Sequence, residues 1–287
     1  MRTRPFKQVD VFTDKPLLGN PLAVVIDADG LTTESMVAFT HWTNLSEATF
    51  LLPPTRAGRA AGAHYRARIF CPGRELPFAG HPTLGSAHAF LEANPACQDD
   101  VIVQECGAGL VRVRRDGDRL AFAAPPVKRS GPLEPELLER IARGLGLLAD
   151  DIVSHSWCDN GPGWQAVLLR SAEQVLALRP DPSVLGALDL GVIGPWREAG
   201  AGEPAFEVRA FFPGNSGLTE DPVTGSLNAA LGQWLIGAGL APVQYVAAQG
   251  TAMGRAGRIF VAQRGPDLWV GGHCVTCVDG RAVADLS

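Results

Sequence analysis

The chain has 287 residues, 46% of them apolar, with a formal net charge of −5 and six cysteines. That length suits one large domain or two ordinary ones, and the acidic balance offers no basic footprint for nucleic acid. No apolar run approaches the ~20 residues that span a bilayer, and the charged opening MRTRPFKQVDVFTD lacks a signal peptide's apolar core. The expectation is a soluble, cytoplasmic protein.

In chain order, Phe6 to Phe12 and Leu22 to Ile26 read as strands on either side of Gly19-Asn20-Pro21. A helix is expected over Thr32 to Thr43, opened by a threonine with Glu34 in the first turn. Asn44 to Leu52 is a loop feeding a strand, and Tyr65 to Cys71 is the next strand. The stretch Glu75 to Ala89, ELPFAGHPTLGSAHA, then begins a helix that runs to about Asn94. Strands follow at 101–104, 110–115 and 120–123, the last two joined by Asp116-Gly117-Asp118, a hairpin signal. Pro125 to Pro135 is the best candidate linker, which puts the domains at 1–126 and 127–287. The second part reads as a helix at Glu136 to Arg143, a strand at Trp164 to Leu169 and short helical pieces near 172–178 and 182–188. A strand at Glu207 to Phe212, a helix ending near Ile236 and a last group of strands complete it. The final strand, about 274–283, is expected to return to the first domain.

A repeat organises these elements. Arg68-Ile-Phe-Cys-Pro-Gly73 leads to His81-Pro-Thr-Leu-Gly-Ser86, and Arg209-Ala-Phe-Phe-Pro-Gly214 leads to Asp221-Pro-Val-Thr-Gly-Ser226. The offsets are 141 (209 − 68) and 140 (221 − 81), so His81 and Asp221 align. Proline is favoured in the first helical turn, so helices are expected to begin at Pro82 and Pro222, with His81 and Asp221 as caps. Asp is a good cap and His a poor one, which points His81 to a task other than capping. Free N–H groups at helix starts attract anions, so Gly80, Pro82, Thr83, Gly225 and Ser226 are candidate substrate-binding positions. Two such units, each an α+β mixed sheet around a central helix, are expected to bring both helix starts to one cleft. Cys274 and Cys277, three apart on a strand, face opposite sides. With no GxGxxG, GxxxxGK[ST], HExxH or GxSxG in a fitting context, neither a metal nor a cofactor is expected.

Five motifs in order, GNPLAVV (19–25), NLSEATF (44–50), ELPFAGHPTLGSA (75–87), EDPVTGS (220–226) and QGTAMGR (249–255), resemble the PhzF family of phenazine-biosynthesis proteins, within the diaminopimelate epimerase-like fold. The resemblance covers essentially the whole chain. It implies that Glu47 removes and returns a proton, that His81 and Asp221 flank a small carboxylate substrate, and that Ser226 belongs to the same motif set. Asn20 and Asn160, which precede Pro or Gly-Pro, read as turn residues, with Asn20 also a candidate substrate-binding position. It further implies a cofactor-independent isomerase, expected as a homodimer, whose best-defined relatives isomerise 2,3-dihydro-3-hydroxyanthranilate. Epimerase relatives carry a cysteine pair where His81 and Asp221 stand, so amino-acid epimerisation through a His/Asp pair is one alternative. A non-enzymatic carboxylate-binding protein is another. Cys71, Phe212, Leu227 and Ala256-Gly257 depart from the family pattern.

Overall fold

The first central helix is buried from Gly80 through Ala87 and again at Ala89, so its N-terminal half is enclosed by its own domain. In the computed structural model, which describes residues 2–198, 200, 202–214 and 217–286, sheets are built around two such helices. The elements of the first part are β1 (Thr3–Val11), β2 (Asn20–Val25), α1 (Thr33–Thr43), β3 (Ala48–Leu52), α2 (Arg56–Ala60), β4 (Tyr65–Cys71), β5 (Arg74–Leu76), α3 (Gly80–Ala93), β6 (Val101–Cys106), β7 (Gly109–Asp116) and β8 (Arg119–Ala123). Those of the second are β9 (Arg129–Gly131), α4 (Pro135–Leu145), β10 (Ile152–Asp159), β11 (Gln165–Leu169), α5 (Ala172–Ala177), α6 (Pro182–Leu185), β12 (Leu190–Pro195), β13 (Phe206–Gly214), β14 (Gly217–Asp221), α7 (Gly225–Gly237), β15 (Gln244–Gln249), β16 (Gly257–Arg264) and β17 (Asp267–Gly272). The last strand, β18 (Cys274–Val283), pairs with β1. Two compact units result, 1–123 with 271–287, and 124–270.

In the first unit β1 pairs antiparallel with β2 and β18, β2 runs parallel to β3, and β3 is antiparallel to β4. β4 is parallel to β6, which leads into the β6–β7–β8 meander. α3 touches β1, β2, β3, β4, β6, β7, β8 and β18, so the sheet wraps around it. Its small residues permit this. A Cβ on Gly85 would stand 2.6 Å from Leu22 Cδ2 and 3.0 Å from Val11 Cγ2. α1 covers the outer face of the sheet through Met36 and Phe39, which join Phe50 and Phe70 in one apolar cluster. Thr32 caps α1 by accepting from the Ser35 N–H at 3.2 Å.

The second unit repeats this plan. β10 is antiparallel to β9 and β11, β11 is parallel to β12, and β12 is antiparallel to β13. β13 is parallel to β15, which is antiparallel to β16. α7 packs on β10 and β16. A second apolar cluster gathers Ile141 and Leu145 of α4, Val175 of α5 and Leu185 of α6 with Val167, Leu190 and Val192. Leu227, a departure from the family pattern, is buried in the unit's interior, where a Cβ on Gly191 would meet its Cδ1 at 2.5 Å.

The register of the repeat differs from the one expected. In the β4–β5 hairpin Ile69 faces Leu76, and in the β13–β14 hairpin Ala210 faces Asp221. Seven residues separate the first pair and eleven the second, so the second hairpin is four residues longer. Arg68 forks onto Glu75 as Arg209 forks onto Glu220, and beyond the hairpins the offset is 145 (220 − 75). His81 therefore matches Ser226, and Asp221 matches Leu76. The apparent alignment of HPTLGS with DPVTGS is a five-residue slip between two short motifs.

Candidate active site

The helix starts set the site. α3 begins at Gly80, with extended Ala79 before it and no side-chain cap. His81 is thus the second helical residue, not a cap, and Pro82 is the third, where a missing N–H still costs nothing. α7 begins at Gly225 after extended Thr224. Asp221 does not cap it either; it ends β14, three residues short of the N-cap position.

In the first unit, Glu47 lies immediately before β3, with 18% of its side chain exposed, and its Oε2 is 3.6 Å from His81 Nε2. His81 is buried, and burial pushes its pKa down to about 3, so the ring is neutral at any ordinary pH. The amide Nδ2 of buried Asn20, the first residue of β2, sits 3.4 Å from His81 Nδ1. With Nδ1 accepting, the ring proton resides on Nε2 and faces Glu47. Asn20, expected among the substrate-binding residues, is thus in contact with the histidine. Thr83 is committed to the fold: its hydroxyl donates to Ala79 O at 2.9 Å and accepts from Gln104 Nε2 at 3.0 Å. Gly80 and Pro82 are buried in the first turn.

In the second unit, Asp221 Oδ2 accepts the Thr224 hydroxyl at 2.6 Å. Ser226 takes the position in α7 that His81 takes in α3. Its Oγ accepts the Trp164 indole N–H at 3.1 Å, and its carbonyl accepts from Asn160 Nδ2 at 2.8 Å. Each unit thus sets an asparagine at a strand end against the second residue of its central helix. Sequence reasoning read Asn160 as a turn residue and passed over Trp164; the GNP and NGP turns carried the signal. A buried glutamine, Gln104 or Gln249, likewise braces the first turn of each helix.

His64, Cys97 and Asp99 form a separate polar cluster on the first unit, with 2.9 Å between His64 Nε2 and Asp99 Oδ2. His64 Nδ1 accepts the Val103 backbone N–H at 3.0 Å. The neutral ring then carries its proton on Nε2, so no nitrogen lone pair is left for a metal ion.

A doubled sheet-around-helix unit is the plan of an epimerase-like fold, and the comparisons with known proteins agree. The profile of the phenazine biosynthesis-like proteins (PhzC–PhzF) matches residues 9–280. A *Schizosaccharomyces pombe* protein named antisense-enhancing sequence 1 is 34% identical over 300 residues, covering 98% of this chain and 99% of its own. Trans-2,3-dihydro-3-hydroxyanthranilate isomerase of *Pseudomonas aeruginosa* is 33% identical over 287 residues, covering 96% and 97%. The crystal structure of a PhzF-family phenazine biosynthesis protein from *Enterococcus faecalis* superposes with a TM-score of 0.79 at 25% identity, covering 98% of this chain and all of that one. This chain belongs to the phenazine biosynthesis-like family, and its enzyme class is isomerase.

Proposed function

We propose that this enzyme moves a proton within a small carboxylate-bearing substrate, with Glu47 as the group that takes and returns it. The observation that carries the reading is the pair of Glu47 and His81 at 3.6 Å, mostly shielded from water. A carboxylate that exchanges protons with carbon must be placed by a neighbour that does not compete for the proton. Neutral His81 does this: its Nε2–H can steady the carboxylate or a developing oxyanion, and its depressed basicity keeps it from trapping the proton. Asp221 and the N–H groups at the starts of α3 and α7 are assigned to the same substrate, the helix starts holding its carboxylate. The relatives named for trans-2,3-dihydro-3-hydroxyanthranilate supply the first compound to try. We assign no metal or cofactor to the reaction.

The test is deuterium exchange and turnover with trans-2,3-dihydro-3-hydroxyanthranilate and a panel of cyclic and amino carboxylates. Glu47→Gln keeps the shape but cannot carry the proton, so turnover should drop about 10²–10⁴-fold with little change in affinity. Near wild-type turnover would remove Glu47 from the mechanism. A complex in which the carboxylate touches Glu47 and His81 but no atom of 221–226 would remove Asp221. Epimerisation by a His81/Asp221 pair is disfavoured, because burial leaves His81 a weak base and the residue matching it in the repeat is Ser226.

A further inference from the structure

Gln249 ends β15 and opens QGTAMGR, a motif to which the reaction above gives no task. It is fully buried and its amide makes four hydrogen bonds whose directions can be assigned. The Thr224 backbone N–H lies 3.1 Å from Oε1, and a backbone N–H can only donate, so the amide oxygen belongs there; Asn228 Nδ2 also donates to it at 2.8 Å. The amide NH₂ therefore faces Asp221 O at 3.1 Å and Thr224 Oγ1 at 2.9 Å. An NH₂ group only donates, so the Thr224 hydroxyl accepts from it and turns its own proton onto Asp221 Oδ2, 2.6 Å away. Gly250 lets the chain turn here. Its φ is +85°, and a Cβ would stand 2.7 Å from Pro222 O.

The first unit shows what the fold alone requires. Gln104, at the matching strand position, donates to Thr83 Oγ1 and accepts the Tyr65 hydroxyl. The residues matching Thr224 and Asp221 there are Ala79 and Leu76, so the glutamine braces the helix turn but carries no relay. The relay is an addition confined to the unit that holds Asp221.

We propose that Gln249 and Thr224 are positioning residues that hold the Asp221 carboxylate deprotonated as a hydrogen-bond acceptor, so that Asp221 orients the substrate while Glu47 carries the proton. This rests on the reading of Asp221 as a participant in the chemistry. No proton passes to Asp221 in this step: Glu47 takes the proton from the substrate carbon and returns it, while the Asp221 carboxylate accepts a hydrogen bond from a substrate N–H or O–H.

The test needs no substrate. Protein labelled with ¹³C at the aspartate carboxyl is titrated by NMR, with the Asp221 signal identified by its loss in Asp221→Asn. Thr224→Val removes the donor and should raise the Asp221 midpoint by about one pH unit, the worth of a hydrogen bond to a charged group. Thr224→Ser keeps the hydroxyl and should leave the midpoint near wild type. Gln249→Met should raise it in the same direction by less. The Glu220–Arg209 pair and Arg255, beside Gly250, stay in every variant, so their fields cancel. An unchanged midpoint in Thr224→Val, or an equal shift in Thr224→Ser, overturns the proposal. An unchanged midpoint in Gln249→Met removes Gln249 from it. The Thr224 pair decides the matter even where Gln249→Met fails to fold. Failure of the underlying reading shows differently, as full turnover in Asp221→Asn with the titration result intact.

Discussion

At the scale of single residues, His81 links packing to protonation. The unfolded chain binds a proton at the ordinary histidine value of 6.5, while the folded chain does not until about 3. As pH falls through that window the unfolded state takes up the proton first, so stability declines by at most about 1.4 kcal/mol per pH unit. Above pH 6.5 both states are neutral and the contribution is flat. His81→Asn lacks this component, and its stability between pH 6.5 and 3 should fall less steeply in denaturant melts; parallel curves would show that His81 is not buried neutral. Asp221 illustrates the opposite lesson. Read as a cap, its loss would cost about 1 kcal/mol through the helix end. An observed partner is the hydroxyl of Thr224, the residue at the N-cap position of α7, so Asp221→Ala reaches the helix start through Thr224 and not as a lost cap.

At the scale of elements, glycine placement separates close packing from free helix ends. Gly85 in α3 has Leu22 and Val11 where its Cβ would go, and Gly237 at the end of α7 has nothing within 4 Å. Gly85→Ala should destabilise by about 1–3 kcal/mol through overpacking, more than the ~1 kcal/mol that alanine gains in a helix. Gly237→Ala should stabilise by about 0.5–1 kcal/mol. Chemical denaturation of both variants checks this, and equal signs would discount the packing argument. The same principle explains a strand that sequence reading missed. β12, LGVIGP, looks like a loop, yet Cβ atoms on Gly191 and Gly194 would meet Leu227 Cδ1 at 2.5 Å and Ser171 O at 2.4 Å. Glycine in a strand marks a close approach of another group, and nothing local announces which group that is. β5, β9, β10, β14 and β15 were also missed, being short, polar or alanine-rich.

At the scale of the whole molecule, sequence order and unit membership part company at β18. It pairs with β1 from Thr3–Val283 to Val11–Cys274 with one bulge, and Ala284 joins the first unit's apolar cluster. Removal of residues 272–287 should therefore expose β1 and α3 to hydrogen exchange while the α4–α6 cluster keeps its protection. Loss of protection spread evenly over 124–270 as well would show that the second unit depends on the segment. No described helix is long and apolar enough to cross a membrane.

The sequence by itself determined the family, the doubled α+β plan and the candidates Glu47, His81 and Asp221, because turn glycines, prolines and polar motifs must sit at fixed places along the chain. It also located α1, with its Thr32 cap, and the Asp116–Arg119 hairpin, since capping and tight turns are local chemistry. Tertiary structure alone decided the register of the repeat, because four extra residues in the β13–β14 hairpin are invisible until strand pairing fixes which residues face each other. It also decided that His81 is neutral, that Asn20 and Asn160 reach the second residue of each helix, and that Gln249 orients Thr224. Each depends on burial or on contact between residues far apart in sequence, which no local pattern encodes.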